Sequence, residues 1–165
     1  DGSTDGGDAV AEAFPDPRFR LIRQANAGPG AARNIGIAAA RADTIAFLDA
    51  DDVWSPDYLS AAITGLEANP EVASVTAGYR EMPGGASTEP MWLRRDLRPG
   101  LFALAPDTPP PLAATVLAYM SPCSTVFRAD LLRRHGGFYA EDRCLYGEDA
   151  HLCLKLLLNH PVLLD

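Results

Sequence analysis

Apolar and polar positions along the chain switch between a period of two and a period near 3.6, and the switches divide it into strands and helices. A short helix is expected over Ala9–Phe14, capped by Thr4 or Asp5 and ended by Pro15-Asp16-Pro17. Arg18–Arg23 alternates around Phe19, Leu21 and Ile22 as a strand. Asn26-Ala27-Gly28-Pro29-Gly30 is a turn, and the alanine-rich stretch Ala31–Arg41 is a helix opened by it. Thr44–Leu48 is a short apolar strand that runs into acid. Ser55-Pro56-Asp57 supplies a cap, a first-turn proline and a first-turn acid, which predicts a helix from Pro56 to Ala68. Val72–Tyr79 and Thr125-Val126-Phe127 read as strands and Ala129–His135 as a short helix. Gly136-Gly137-Phe138 is a break, and Glu148–Asn159 an amphipathic helix. Strands alternating with helices predict an α/β domain with a largely parallel sheet, in which ligands sit at the carboxyl ends of the strands.

The middle of the chain breaks this pattern. Seven of the fourteen prolines fall between Pro83 and Pro111, with Gly84, Gly85 and Gly100 among them. Residues 81–112 are therefore expected to form an irregular excursion, equally a functional lid or a disordered segment.

Composition narrows the class. At 165 residues, 47% hydrophobic and 22% charged, the chain suits one domain, 1–165, with a sizeable core, and excludes disorder, collagen and coiled coil. Fourteen Lys+Arg against twenty-two Asp+Glu leave a formal net charge of −8, the wrong sign for holding a phosphate backbone, so nucleic acid is not an expected partner. No apolar run reaches the roughly 18 residues that a bilayer span needs. Cys123, Cys144 and Cys153 are odd in number and form no C-x-x-C pair, which fits free thiols in a reducing cytoplasm rather than a disulfide framework or zinc ribbon. They read as small buried hydrophobes. P-loop, zincin and nucleophile-elbow motifs are absent. The opening Asp1-Gly2-Ser3-Thr4-Asp5-Gly6 reads as a turn that follows a strand, so the expectation is of a piece whose first strand–helix unit lies outside it.

Three segments carry chemistry. Asp49, Asp51 and Asp52 place three carboxylates within four residues directly after a strand. Such a cluster repels itself and suits a hard divalent cation, Mn²⁺ or Mg²⁺, shared with a diphosphate. The plainer alternative, that these acids cap the next helix, is weakened because Ser55-Pro56-Asp57 already does so. Gly28-Pro29-Gly30-Ala31-Ala32-Arg33 follows a strand and opens a helix, with Asp49 about twenty residues on, as in a dinucleotide fingerprint, but Arg33 stands where the third glycine belongs. The turn still offers N–H groups to an anion, and Arg33 reads evenly as a nucleotide contact or a solvated helix arginine. Gly147-Glu148-Asp149 opens a well-anchored helix, where a carboxylate serves either as a fixed general base or as a complement to the helix dipole. His135 and His160 fall near helix C-termini, as end-charges. His151 makes no metal site with Asp149.

Taken together, Asp1–Gly6, Asn26–Gly36, Phe47–Asp52, Gly137-Phe138 and Gly147-Glu148-Asp149 resemble, in order and spacing, the family 2 glycosyltransferases. The resemblance implies a GT-A, Rossmann-like fold and inverting transfer from a UDP-, GDP- or dTDP-sugar to a glycan or lipid-linked acceptor in polysaccharide or cell-envelope synthesis. It implies Asp149 as general base and Asp1, Arg33, Asp49, Asp51, Asp52 and Glu148 around the donor. Asp51 and Asp52 are the implied ligands of a divalent cation, Asp51 foremost, and the 81–112 excursion lies on the acceptor side. The expected location is the cytoplasm, with peripheral attachment to the inner face of the membrane as an option. Two other readings stay open: an NAD-type dinucleotide-binding oxidoreductase, supported by Gly28, Gly30 and Asp49, and a non-catalytic sugar-nucleotide-binding fragment.

Overall fold

A computed structural model describes residues 1–165. Its helices are α1 (Gly7–Glu12), α2 (Pro29–Ala39), α3 (Tyr58–Ala68), α4 (Glu89–Arg94), α5 (Pro110–Tyr119), α6 (Ala129–Arg134) and α7 (Glu148–Asn159). Its strands are β1 (Thr44–Ala46), β2 (Ser74–Thr76), β3 (Arg80–Glu81), β4 (Ala86–Ser87), β5 (Gly100–Phe102), β6 (Thr125–Arg128) and β7 (Val162–Leu164). Five strands form the main sheet in the order β1-β6-β2-β7-β5, and β3 and β4 make a separate hairpin.

The sheet is mixed rather than largely parallel. Only β2 and β7 pair in parallel; β6 runs antiparallel to both β1 and β2, and β5 antiparallel to β7. Alternation of strands with helices does not fix strand direction here. The chain leaves the end of β2 at Ala77 and returns beside the same point at Ser124, where the Ala77 amide donates to the Ser124 carbonyl at 2.9 Å. A chain that returns to the end it left must run back along its neighbour, so β6 lies antiparallel to β2.

Side-chain alternation across β6 sends Val126 and Phe127 to opposite faces. Val126 joins Ala62, Leu66, Val72 and Val75 beneath α3. Phe127 joins the larger cluster, with Leu132, Leu152, Leu156, Leu157, Val162 and Leu164, beneath α6 and α7. Helix α3 lies so close on the sheet that a Cβ on Gly65 would sit 3.0 Å from Leu163 Cδ2 and 3.2 Å from Val75 Cγ2. The Arg128 guanidinium closes the C-terminal end of α3, donating to the carbonyls of Leu66 (2.7 Å), Asn69 (3.1 Å) and Val72 (2.7 Å).

The proline-rich middle is not an irregular excursion. It holds β4, α4, β5 and the start of α5, and buries Trp92 and Leu97 in the larger cluster. Pro90 in α4 and Pro110 and Pro111 in α5 occupy first-turn positions, where a missing N–H costs no hydrogen bond, so they start helices instead of breaking them. Arg18–Arg23, in contrast, is not a strand. No strand lies alongside to complete a ladder, and Phe19 and Ile22 stay exposed. Helix α1 starts at Gly7, with Asp5 Oδ1 accepting the Gly7 amide at 3.0 Å. Helix α3 starts two residues later than Pro56 and has no side-chain cap. Residues Val162–Leu164, which carry no alternation long enough to predict a strand, become β7 by pairing in parallel with β2. No helix is long and apolar enough to cross a membrane.

His135 and His160, at the ends of α6 and α7, are not independent end-charges. Their Nε2 atoms meet at 2.9 Å, with the rings edge-on. Burial, then the nearby His135 and Arg134, hold His160 below the usual histidine value of 6.5, against a smaller opposing pull from Asp130. The folded state thus keeps His160 neutral where an unfolded chain binds a proton. Its stabilising share is complete above about pH 6.5 and disappears as pH falls through the lowered folded value. Urea unfolding at pH 7.5 and pH 5 should show a lower midpoint in acid, and His160→Gln should shrink that difference; an unchanged difference would refute the assignment.

Candidate active site

The site is built on the first two turns of α2. Gly28 opens the helix at φ 91°, ψ 165°, with Pro29 at its first turn. A Cβ on Gly30 would lie 2.2 Å from the Tyr139 carbonyl oxygen, so only glycine lets the 139–148 segment cross this turn. One turn on, Asn34 grips the same segment twice: its Nδ2 donates to the Phe138 carbonyl at 2.9 Å and its Oδ1 accepts the Phe138 amide at 2.8 Å. Gly137, at φ 69°, is required beneath it, because a Cβ there would stand 2.2 Å from Asn34 Oδ1. The glycine turn is therefore covered by the protein's own backbone. A pyrophosphate laid across Gly28-x-Gly30 would meet Tyr139, which removes the physical basis of the dinucleotide reading.

Arg33 joins the two acidic segments. Its Nη1 donates to Glu148 Oε1 at 2.8 Å, and its Nη2 to both oxygens of Asp49 at 3.0 and 3.1 Å. The guanidinium also lies over the Phe138 ring, 5.4 Å from its centroid, and Phe138 packs edge-on against Phe47 at 5.1 Å. Burial works against the guanidinium charge, but the Asp49 and Glu148 carboxylates outweigh it, and the Arg33 pKa is raised. Arg33 is thus not a solvated helix arginine but is paired with carboxylates from two segments. It spans the end of β1 and the start of α7.

Asp1 is similarly committed to the chain: it accepts from Gln24 Nε2 (2.7 Å) and the Ala27 amide (2.8 Å) on Oδ1 and from the Gly28 amide (3.1 Å) on Oδ2. It shapes the turn that precedes α2. Glu148 is buried, with its side chain 7% exposed, whereas Asp149 is half-buried and accepts the Ala150 amide at 2.7 Å. Asp49, Asp51 and Asp52 are all exposed, and the Asp52 amide donates to the Asp49 carbonyl at 3.1 Å in a tight turn.

Of the two expected cation ligands, Asp52 contributes a converging donor atom and Asp51 does not. One oxygen each from Asp49 and Asp52, together with Cys123 Sγ, lie within 4.8 Å of one another, and Asp51 is outside this group. Two carboxylates and a thiol suit a divalent cation. Cys123 is half-buried rather than a core hydrophobe. Burial, then the Asp52 and Asp49 carboxylates, push its thiol up to about 12. Sequence reasoning missed it, because Cys123 meets the acidic turn only through the antiparallel pairing of β6 with β1, which no local pattern announces.

The site thus stands at one rim of the central mixed sheet, where the acidic turn after β1 meets the acidic first turn of α7 through Arg33. The chain belongs to glycosyl transferase family 2, whose model matches residues 1–136. Helix α7 lies outside that match. Among curated relatives, the succinoglycan biosynthesis protein ExoO of Rhizobium meliloti is 51% identical over 69 residues, 41% of this chain and 20% of its own length. The pre-mycofactocin glycosyltransferase of Mycobacterium tuberculosis is 32% identical over 130 residues, 79% of this chain and 26% of its own. The chain thus spans about a fifth to a quarter of these relatives. Among solved structures, Staphylococcus aureus TarS superposes with a TM-score of 0.75 at 18% identity, over 99% of this chain and 46% of the TarS chain. A Pyrobaculum calidifontis mannosyltransferase in complex with GDP-Man and Mn²⁺ superposes at 0.67 and 22% identity, over 99% of this chain and 43% of its own. These likenesses extend through α7 and establish the fold.

The two arms of Arg33 differ in weight. Arg33→Met strands the buried Glu148 carboxylate and should destabilise by about 3 kcal/mol in urea unfolding. Asp49→Asn removes the exposed arm and should cost less than about 1 kcal/mol. Arg33→Lys should not restore stability, since a point charge on a flexible stem cannot span both carboxylates. Equal losses for Arg33→Met and Asp49→Asn would refute the asymmetry.

Proposed function

We propose that residues 1–165 are one sugar-transfer domain that moves a glycosyl group, with inversion, from a nucleotide-diphospho-sugar to an acceptor hydroxyl, with Asp149 as general base. The observation that carries this reading is the Arg33 bridge. By hydrogen-bonding to Asp49 and Glu148 together, it holds the acidic end of β1 and the first turn of α7 on one rim of the sheet. Inversion needs a base on one side of the sugar and charge stabilisation on the other, and this rim supplies carboxylates from two separate elements.

The donor's diphosphate is assigned to the β1 end, beside Asp49, Asp51 and Asp52. Asp49 and Asp52 converge best as ligands of a divalent cation, and Asp51, the ligand the motif names, sits on the same turn. The chemistry such an ion supplies when bound is neutralisation of charge on the departing diphosphate. UDP bound to TarS and GDP-Man with Mn²⁺ bound to the Pyrobaculum enzyme support a nucleotide-sugar donor. The succinoglycan relatives support an acceptor in polysaccharide or cell-envelope synthesis, glycan or lipid-linked. Asp1, through the turn it braces, shapes the nucleoside side, and the Trp92-bearing segment 81–112 is placed on the acceptor side.

In this reading Asp149 is fixed at the first turn of α7 by the packed Leu152, Leu156 and Leu157 and takes the proton of the acceptor hydroxyl as that oxygen attacks the anomeric carbon. The nucleoside diphosphate leaves from the opposite face, through a state with oxocarbenium character. Glu148 stays paired to Arg33 and orients the turn.

Asp149→Asn should reduce transfer by at least about 10²-fold, the scale of a lost general base, while calorimetry shows unchanged UDP or GDP binding in Mn²⁺. Turnover retained in Asp149→Asn would remove Asp149 from the mechanism. Tight, Mn²⁺-dependent nucleotide binding without turnover in the unmodified chain would favour the non-catalytic reading instead.

A further inference from the structure

We propose that the Cys123 thiol is a third protein ligand of the cation at the end of β1 and that it turns this site towards thiophilic divalent ions, Zn²⁺, Co²⁺ or Cd²⁺, over Mg²⁺. The inference rests on the cation reading above and adds a ligand that the acidic motif does not contain.

Three features place the sulfur. The β1–β6 register runs Thr44↔Arg128, Ile45↔Phe127 and Ala46↔Val126, so the turn after β1 and the turn before β6 emerge at the same end of the sheet. Cys123 lies in the tight turn Pro122–Ser124 at the head of β6, closed by the Ser124 amide donating to the Ser121 carbonyl at 3.1 Å. Its own carbonyl accepts Trp54 Nε1 at 2.8 Å, which ties it to the chain just beyond Asp52. The backbone that carries the thiol is thus fixed beside the acidic turn rather than lying there on a free loop.

The spacing suits shared coordination. The three donor atoms lie within 4.8 Å of one another. In a tetrahedral set with Zn–S of about 2.3 Å and Zn–O of about 2.1 Å, two ligands stand about 3.6 Å apart, so the donor atoms have to draw together by up to about 1 Å, a movement that side-chain rotation of the exposed Asp49 and Asp52 supplies. On binding, the S–H bond breaks, the sulfur lone pair is given to the ion and the proton goes to solvent. Mg²⁺ takes hard oxygen ligands and gains little from sulfur, whereas a thiolate favours softer ions. The remaining coordination positions are left for water and donor oxygens.

The test is a set of metal titrations on the unmodified chain, Cys123→Ser and Asp52→Asn, each first checked for native circular dichroism. With Co²⁺, the unmodified chain should show a near-ultraviolet thiolate-to-cobalt charge-transfer band, and Cys123→Ser should lose it. Cd²⁺ affinity should fall at least about tenfold in Cys123→Ser, while Mg²⁺ affinity moves less than about twofold. Asp52→Asn should weaken every ion. If Cys123→Ser does not fold, alkylation mapped by mass spectrometry reads the same contact: Cd²⁺ should protect Cys123 from iodoacetamide in the unmodified chain and fail to do so in Asp52→Asn. Ion binding that depends on Asp52, with no cobalt–thiolate band and no protection of Cys123, overturns the thiol ligand and leaves the cation reading standing. A chain that binds no divalent ion overturns both.

Discussion

One half-buried guanidinium holds the candidate site together. Arg33 sits on α2 and belongs to neither acidic segment, yet it donates to Asp49 at the end of β1 and to Glu148 at the start of α7. Those residues are 99 positions apart and would repel if left unpaired. A bidentate, always-charged fork bridges them at modest entropic cost, because its plane is preset and Phe138 supports one face. Glu148, almost out of contact with water, depends on this pairing, whereas the exposed Asp49 does not.

The rest of α2 serves the same purpose. Gly30 lets the Tyr139 carbonyl cross the helix, and Asn34 fixes Phe138 through two hydrogen bonds, so one short helix sets the path of residues 137–148. The cost is that the glycine turn no longer presents its amides to a ligand. Asp1 accepts two of them, at Ala27 and Gly28, and the Tyr139 carbonyl crosses close over Gly30. What resembles an anion-binding loop has become a bracket for the acidic rim. The formal charge of −8 has a local meaning for the same reason: part of it stands at Asp49, Asp51, Asp52, Glu148 and Asp149, and Arg33 is the cation that keeps this arrangement folded.

Packing explains why the rim is rigid on one side and open on the other. Helix α7 is anchored by Leu152, Leu156 and Leu157 in the larger cluster, which fixes its first turn. The turn after β1 is exposed at Asp49, Ala50, Asp51 and Asp52; Arg33 holds it at Asp49 and Trp54 ties its far side to the Cys123 carbonyl, leaving Asp51 and Asp52 unpaired with any cation. Carboxylates on an exposed turn can move to a ligand, while a carboxylate on a packed helix keeps its position. This division suits one element that receives a donor and another that sets the position of a base.

The sequence by itself determined the motifs, their order and most elements. The helix over Glu148–Asn159 follows from its leucine periodicity, and the short strand of Thr44–Leu48 from its apolar run. The family assignment follows from Asp1–Gly6, Asn26–Gly36 and Phe47–Asp52. These are local properties, fixed by propensity and spacing. What only the tertiary structure decided is non-local. Arg18–Arg23 has the alternation of a strand but no neighbour to pair with, and the 81–112 prolines could be read as helix starts only once Trp92 and Leu97 were seen packed in the core. Strand direction also lay beyond local pattern, since it depended on where the chain returned after β2. The same holds for Arg33, Glu148 and Cys123. Their partners come from distant segments, and burial, register and charge pairing exist only when those segments meet.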